Sequence, residues 1–466
     1  MTTKQFDFGL VGLGVMGRNF ILNVADHGFS ALGLDTNEEQ VQALLEEGDP
    51  AQVSATTDKK SFVAQLSSPR KIMLLVPAGK VVDLVIEDLL PLLEKGDIII
   101  DGGNSFFTDT DRRSAYLEEK GIHFFGSGVS GGAKGARRGP SIMPGGSPAA
   151  YEAIQPIFEA VAAKVNGDPC VAYMGKKSAG NYVKMVHNGI EYGLMELISE
   201  TYGILKNGLG KSNAEIQTNF AEWNSGRLQS FLIEISAEIF SKKDDLTEKD
   251  LIDMILDRAK QKGTGKWTSQ NAMDLGIPVP NIDMAVSMRG LSAMKSTRIQ
   301  AEALYGAKRS AHSQEISTED LEAALYFSFI ITYAQGMAQL AAADEEYDYG
   351  LDLASISKIW RGGCIIRAAL LEDMRQAFRK SPQLENLLLD TEFVGKIKST
   401  LGAARKVAAF CVLRGIPAAV LYTSLAYFDA FCSGSLHLNL VQAQRDHFGS
   451  HTYERTDKTG TFHTEW

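Results

Sequence analysis

The feature that most narrows the fold stands near the start of the chain. An apolar run over residues 6–11 passes directly into Gly12-Leu13-Gly14-Val15-Met16-Gly17 and then into Phe20-Ile21-Leu22-Asn23-Val24. The first run has the continuity of a buried strand and the last the spacing of a helix face. Strand, glycine turn and helix in this order begin a dinucleotide-binding fold. Gly12 permits the tight turn, Gly14 lets the backbone approach a pyrophosphate, and Gly17 allows close packing of helix on strand. The next apolar run, 31–34, ends in Asp35. An acid there accepts hydrogen bonds from an adenosine ribose and repels a 2′-phosphate. Capping a helix that starts near Asn37 is its competing role.

Strand and helix patterns keep alternating: strand 71–76, helix 81–93, strand 97–101, helix 108–120 and strand 122–126. Regular exchange of this kind predicts an α/β, doubly wound (Rossmann-type) parallel sheet. Two polar, glycine-rich loops follow strands on one edge, Asp101-Gly102-Gly103-Asn104-Ser105 and Ser127-Gly128-Val129-Ser130-Gly131-Gly132. Backbone N–H groups exposed there suit an anionic ligand, with ordinary turn chemistry as the alternative. The segment 135–146, with Arg137 and Arg138, reads as a lid or as packed filler.

From Ser178 the apolar period becomes helical, with long stretches over 228–240, 246–260, 284–305, 317–343 and 400–433. The chain therefore divides into a dinucleotide-binding domain (1–177), a large all-α domain (178–433) and a tail (434–466). Trp223-Asn224-Ser225-Gly226 and Trp360-Arg361-Gly362-Gly363 each follow one long helix and open another, a weak echo of an internal duplication.

The chemistry is best placed on Lys184-Met185-Val186-His187-Asn188-Gly189-Ile190-Glu191-Tyr192. At about 100° per residue, Lys184, His187, Asn188, Glu191 and Tyr192 share one helix face. Val183, Met185, Val186, Ile190, Leu194, Leu197 and Ile198 surround them, so the helix should be buried, with only Glu196 dissenting. A polar stripe on such a helix faces a cavity; a solvated charged face is the bland alternative. Further along, Gln261-Lys262-Gly263-Thr264-Gly265-Lys266-Trp267 is a cationic glycine turn. Free N–H groups, the Thr264 hydroxyl and Lys262 suit a phosphate, although the spacing is not that of a nucleotide P-loop. Arg289 would by default sit in a surface ion pair.

Composition sets outer limits. With 47 basic against 57 acidic residues, the net charge of −10 argues against nucleic acid or an anionic membrane as the main partner. A small anionic substrate remains open wherever cations converge. Cys170, Cys364, Cys411 and Cys432 lack ligand or disulfide spacing, so no metal site is expected. The chain shows no signal-peptide pattern and no run of about 18 apolar residues, and it reads as cytoplasmic. The tail is polar and rich in aromatics and His. Its Gln444-Arg445-Asp446-His447-Phe448-Gly449 and His451-Thr452-Tyr453 predict docking on another subunit.

Together these stretches resemble the decarboxylating 6-phosphogluconate dehydrogenases of the long, two-domain form. The matching residues are the turn Gly12 to Gly17, Asp101 to Ser105, Gly128 to Gly132, Lys184 to Gly193, Lys262 to Trp267 and Gln444 to Gly449. The resemblance implies oxidative decarboxylation of 6-phosphogluconate to ribulose 5-phosphate and CO₂, with hydride passing to NAD or NADP. It implies Lys184 as general base and Glu191 as general acid. Asn104, Ser130, Gly131, Gly132, His187 and Asn188 resemble contacts to the substrate's carboxylate and hydroxyls. Tyr192, Lys262, Thr264, Arg289, Arg445 and His451 resemble contacts to its phosphate end. Arg445 and His451 are expected from the partner chain of a homodimer that exchanges C-terminal tails. Cofactor contacts are expected from Gly12, Gly14, Val15, Met16, Gly17, Asp35, Thr36, Asn37, Val76 and Asn104.

The chemistry is consistent with the residues themselves. A lysine can take a hydroxyl proton only when neutral, and desolvation with nearby cations lowers its pKa. Once protonated it can stabilise the carbonyl oxygen of a β-keto acid as CO₂ leaves. The enediol left behind needs a proton on carbon, which Glu191 can supply. One departure bears on the cofactor: NADP users of this family carry Asn-Arg-Thr where this chain has Asp35-Thr36-Asn37, which favours NAD. Asn181, where His is common, and Lys260, where a small residue is common, are lesser departures away from the proposed chemistry. The alternatives are a β-hydroxy acid dehydrogenase of the 3-hydroxyisobutyrate kind and an inactive binding or scaffold protein on the same fold.

Overall fold

The structure is a computed structural model that describes residues 5–306 and 315–466. Its centre is a seven-stranded sheet in the order β3-β2-β1-β4-β5-β6-β7. The strands are β1 (Phe8–Val11), β2 (Ala31–Leu34), β3 (Val53–Thr56), β4 (Lys71–Leu74), β5 (Ile98–Asp101), β6 (His123–Ser130) and β7 (Ser141–Gly146). β1 to β6 are parallel, and β7 closes the edge antiparallel to β6. Every residue of β1, β2 and β5 is buried, as in a sheet covered on both faces. One face carries α1 (Val15–Asp26) and α7 (Pro148–Val161) over Phe8, Phe20, Phe125 and Phe158. Phe62, Ile72, Leu74, Ile86 and Ile99 fill the other.

The predicted doubly wound sheet is present, with two strands that periodicity missed. β3 is short and weakly apolar. β7 contains Pro144 and two glycines, and it occupies the edge, where proline is tolerated. The segment 135–146 is thus neither lid nor filler: it ends α6 (Gly132–Arg138) and forms β7. Arg137 pairs with Asp26 and ties α6 to α1.

From Ala179 the chain is helical. α8 (Ala179–Gly203) runs into a π-helical turn, Ile204–Gly208. Around it pack α12 (Thr264–Asp274), α13 (Pro280–Ala293), α15 (Thr318–Tyr347) and α19 (Ala419–Phe431), with α18 (Thr391–Arg414) against α15. A single core spans them, from Tyr182 and Ile190 to Phe327, Ile330 and Tyr333.

Three helical expectations are corrected. The stretch 246–260 holds only the short helix Leu251–Met254, because Asp244 accepts from Leu246 N–H and the Thr247 hydroxyl and so builds a turn instead. The stretch 284–305 is two helices, Pro280–Ala293 and Lys295–Tyr305. The stretch 400–433 breaks after Arg414, where Gly415 turns left-handed at φ 64° and Pro417 follows. Beyond the two tryptophan segments, Ser230 and Ala368 form an antiparallel bridge. The tail is ordered on its own, as α20 (Asn439–Gly449) and a hairpin, Tyr453–Glu454 with Thr461–Phe462.

Candidate active site

The cofactor side begins at the glycine turn, whose three glycines answer different demands. A Cβ on Gly12, at φ 96°, would stand 2.6 Å from the Leu75 carbonyl oxygen, and one on Gly17 would stand 1.8 Å from that of Gly12. The fold itself requires both. A Cβ on Gly14 would meet no protein atom within 4 Å, so its bare surface faces open ground. α1 starts at the next residue without a side-chain cap, which leaves first-turn N–H groups free for a pyrophosphate. Val15 is exposed and Met16 and Val76 half-buried around this mouth. The residues present fit a dinucleotide.

Asp35 ends β2 with both oxygens anchored: Leu13 N–H donates to Oδ2 at 2.7 Å and Asn37 N–H to Oδ1 at 2.9 Å. The cap of the following helix, Glu38–Glu47, is Asn37, whose side chain accepts from Glu39 N–H. Thr36 and Asn37 are exposed, and Glu38 and Glu39 add two carboxylates within one turn. The nearby cation Arg18 is engaged by Gln40 and Glu47.

Asn104 stands exposed at the tip of the loop after β5. Buried Asp101 shapes that loop by accepting from Gly103 N–H at 3.0 Å and from the Ser105 hydroxyl at 2.6 Å. Arg113, itself buried, lies 3.5 Å from the same carboxylate and also bonds Asp83.

α8 lies against the sheet edge because glycines let it. A Cβ on Gly180 would sit 2.2 Å from the Gly126 carbonyl oxygen, and one on Gly128 2.3 Å from Lys184 Cβ. This contact sets the polar stripe beside Ser130. Nδ1 of fully buried His187 is the point of convergence: Lys184 Nζ is 3.4 Å away, Asn188 Oδ1 3.1 Å and Glu191 Oε2 3.9 Å. On the other side of the ring, Nε2 is 3.3 Å from Ser130 Oγ.

Burial dominates the electrostatics. It pushes Lys184 below its ordinary pKa, although Glu191 and Cys364 pull the other way. It pushes Glu191 above its ordinary value, against Lys184 and Arg289. Burial, then Lys184, hold His187 well below its usual range, so the ring is neutral. The helix thus favours a neutral amine, a neutral imidazole and a protonated carboxyl, a poised base and acid within one stripe.

Tyr192 extends the site toward the 262–264 turn and Arg289. A Cβ on Gly265 would meet its ring at 2.6 Å, and the Arg289 guanidinium stacks over the ring at 4.9 Å. Gly263, at φ 100°, opens α12 without a side-chain cap; Lys262 is exposed beside it and Thr264 is buried. Arg289 is therefore part of this cluster, not of a surface ion pair. Ser130 and Gly265 touch the stripe on α8, and the loop carrying Asn104 is tied to α8 through Asn181, but Arg445 and His451 do not join them within the chain. Both are exposed on the tail.

Sequence reasoning missed the loop after Trp360. Its ring meets His187 edge-on at 5.6 Å, Ile365 N–H donates to Ser130 Oγ at 3.4 Å, and a Cβ on Gly131 would strike the Gly363 carbonyl oxygen at 2.5 Å. These residues floor the site, and the tryptophan-glycine echo was their only trace. Asn181 was also underrated. It accepts from the Thr110 hydroxyl at 2.9 Å and donates to the Gly103 carbonyl at 3.4 Å, bracing the loop that carries Asn104. Among the described residues no group of three or more His, Cys, Asp or Glu could hold a metal ion. No described helix is long and apolar enough to cross a membrane.

Comparison with known proteins covers both halves. Residues 7–175 match the NAD binding domain of 6-phosphogluconate dehydrogenase, and residues 180–466 match the 6-phosphogluconate dehydrogenase C-terminal domain. The chain is 51% identical to the NADP(+)-dependent, decarboxylating 6-phosphogluconate dehydrogenase of Bacillus subtilis, over 100% of this chain and 99% of that one. It is 46% identical to the decarboxylating 6-phosphogluconate dehydrogenase of Escherichia coli, with the same coverage. Among solved structures, Plasmodium falciparum 6-phosphogluconate dehydrogenase superposes with a TM-score of 0.94 at 44% identity, over 99% of this chain and 100% of that one. That enzyme was determined in its apo form and in complexes with NADP+ and with 6-phosphogluconate.

Proposed function

The chain belongs to the family of decarboxylating, NAD(P)-dependent 6-phosphogluconate dehydrogenases, and from that premise we propose its particulars: the substrate is 6-phosphogluconate, the preferred cofactor NAD, the base Lys184 and the acid Glu191. Full-length identity near 50% favours this over a 3-hydroxyisobutyrate-type dehydrogenase, and the poised pair on α8 favours it over an inactive scaffold. The observation that carries the mechanism is this pair, one group driven toward its neutral amine and the other toward its protonated acid.

Residues 1–177 bind the cofactor, whose nicotinamide supplies the hydride acceptor when bound. The N–H groups at the start of α1 and the bare face of Gly14 hold the pyrophosphate, with Val15, Met16, Gly17 and Val76 lining the mouth. Asp35, Thr36 and Asn37 meet the ribose. Residues 178–433 provide most of the substrate site. Ser130, Gly131, Gly132, Asn104, His187 and Asn188 hold the carboxylate and hydroxyls; Tyr192, Lys262, Thr264 and Arg289 hold the phosphate end. Neutral Lys184 takes the β-hydroxyl proton as hydride leaves the same carbon, giving a β-keto acid. The ammonium so formed stabilises the keto oxygen as CO₂ departs. Lys184 passes its proton to that oxygen to give the enediol and takes it back as Glu191 protonates the terminal carbon, and ribulose 5-phosphate is released.

The NAD preference rests on Asp35, anchored by two backbone N–H groups and followed by two glutamates with no free cation among residues 35–39. A 2′-phosphate would meet uncompensated negative charge there. The Bacillus subtilis relative is NADP(+)-dependent by name, so on this proposal the chain differs from that relative in its cofactor. We further propose a homodimer in which residues 434–466 reach the other copy and bring Arg445 and His451 to its phosphate site. Exposed apolar side chains support it: Leu246, Leu304 and Tyr305 are at least 80% exposed, and Phe448 on the tail 74%. The test is to assay 6-phosphogluconate with NAD and with NADP, following reduced nicotinamide and CO₂. CO₂ release with a higher kcat/KM for NAD is expected; no CO₂ with either cofactor refutes the reaction, and a higher kcat/KM for NADP refutes the preference.

A further inference from the structure

The tail raises a physical question that the substrate contacts leave open. Every residue from Phe431 to Val441 is exposed, and among the described residues the hydrogen bonds and ion pairs of residues 434–466 stay within that segment. A segment detached from its own core, carrying Arg445 and His451 for a distant site, needs an internal reason to hold them in fixed relation.

That reason is Asp446, the only fully buried residue of α20. Its carboxylate accepts four hydrogen bonds, two on each oxygen. Oδ1 receives Thr452 N–H at 2.9 Å and His463 Nδ1 at 2.8 Å; Oδ2 receives Thr464 N–H and Trp466 Nε1–H, each at 3.0 Å. One side chain so gathers the end of α20, the turn at 450–452 and residues 463–466 beyond the last strand. The turn is otherwise unfavourable, since Ser450 and Thr452, on either side of His451, both take left-handed conformations at φ 50° and 62°. Burial works against the carboxylate's charge, but His463, Thr464 N–H, Trp466 and Thr452 N–H outweigh it and hold the group below its usual range.

A second observation concerns His451 alone. Its ring lies against Gly449, where a Cβ would come within 2.7 Å of Nε2, and it meets Phe448 edge-on at 5.9 Å. Gly449 is the last residue of α20 and needs no positive φ, so the glycine is required by the ring above it and not by the backbone.

We propose that Asp446 is a positioning residue for the substrate phosphate: as hub of the tail, with Gly449 as the floor beneath His451, it presents Arg445 and His451 at a set spacing to the other copy's site. This rests on the tail-exchange reading above. Neither residue touches substrate; each acts through its neighbour.

The experiment uses the full-length enzyme and measures KM for 6-phosphogluconate, KM for the cofactor, kcat, and sedimentation. Arg445→Ala tests the underlying reading and should raise the substrate KM at least tenfold; if it leaves that KM unchanged, the tail-exchange reading fails. Given an effect of Arg445→Ala, Asp446→Asn and Gly449→Ala are each expected to raise the substrate KM at least tenfold, with cofactor KM within twofold and the assembly unchanged. Should Asp446→Asn disturb folding or assembly, Gly449→Ala decides, because it removes no hydrogen bond and crowds only the end of a flexible side chain. A wild-type substrate KM in Gly449→Ala, or in a folded Asp446→Asn, beside a defective Arg445→Ala overturns the proposal.

Discussion

Glu191 and Glu200 stand nine residues apart on α8, half a turn out of phase and so on opposite faces of one helix. Burial raises the pKa of both, that of Glu200 to about 8. Their surroundings differ. Glu200 accepts Val420 N–H at 2.7 Å and Leu421 N–H at 3.0 Å, and so caps α19, whose own cap position, Ala418, offers no side-chain bond. Among the described residues the Glu191 carboxyl makes no hydrogen bond, and the His187 ring lies 3.9 Å away. A buried carboxyl whose hydrogen bonds are filled by the fold is structure; one whose bonds are left open is available to a substrate. Lys184 belongs with Glu191 in this respect. Burial alone does not mark a catalytic group, whereas burial with open hydrogen-bonding capacity does.

The largest effect that would sharpen this contrast is Lys184→Ala. Loss of a general base should lower kcat by about 10²- to 10⁴-fold. Cofactor affinity, measured by fluorescence titration, should stay within twofold. An active variant would dissolve the distinction between the two faces. Next in size is the cofactor. Asp35→Asn combined with Thr36→Arg should shift the NADP-to-NAD ratio of kcat/KM about tenfold to a hundredfold toward NADP, the range of one charge-assisted hydrogen bond. Smallest on activity is Glu200→Ala. It leaves two buried N–H groups unsatisfied, so stability to denaturant should fall by about 1–3 kcal/mol, with kcat within twofold. Because the folded carboxyl sits near 8, above its ordinary 4.5, its contribution is present below about pH 4.5 and is lost as pH rises through 8. Glu200→Gln should flatten that part of the stability profile.

Much of this was legible because it is local. The strand, turn and helix around Gly12 to Gly17 and the polar stripe on α8 are periodic patterns, and the structure places both as the sequence implies. What escaped is set by tertiary pairing. β7 reads as a loop because its Pro144 and glycines become a strand only beside β6. The apolar spacing of 246–260 imitates a helix, but Met254, Ile255 and Leu256 lie on the surface and Asp244 captures the chain in a turn. Ile365 N–H reaches Ser130 across 235 positions, a contact that no window on the chain can reveal. The same limit hid the role of Asn181, whose partners Thr110 and Gly103 are equally remote.

The most direct measurement is the pH dependence of kcat/KM for 6-phosphogluconate in the wild type, Glu191→Gln and Glu200→Gln. On the proposed assignment the free enzyme is active with Lys184 neutral and Glu191 protonated, so the rate should fall on the acid side as Lys184 gains a proton and on the alkaline side as Glu191 loses one. Glu191→Gln should be slower by about 10²-fold or more and lose the alkaline limb while keeping the acid limb, and Glu200→Gln should keep both. An alkaline limb that persists in Glu191→Gln, or that vanishes in Glu200→Gln, would contradict the assignment of the acid to the open face of α8.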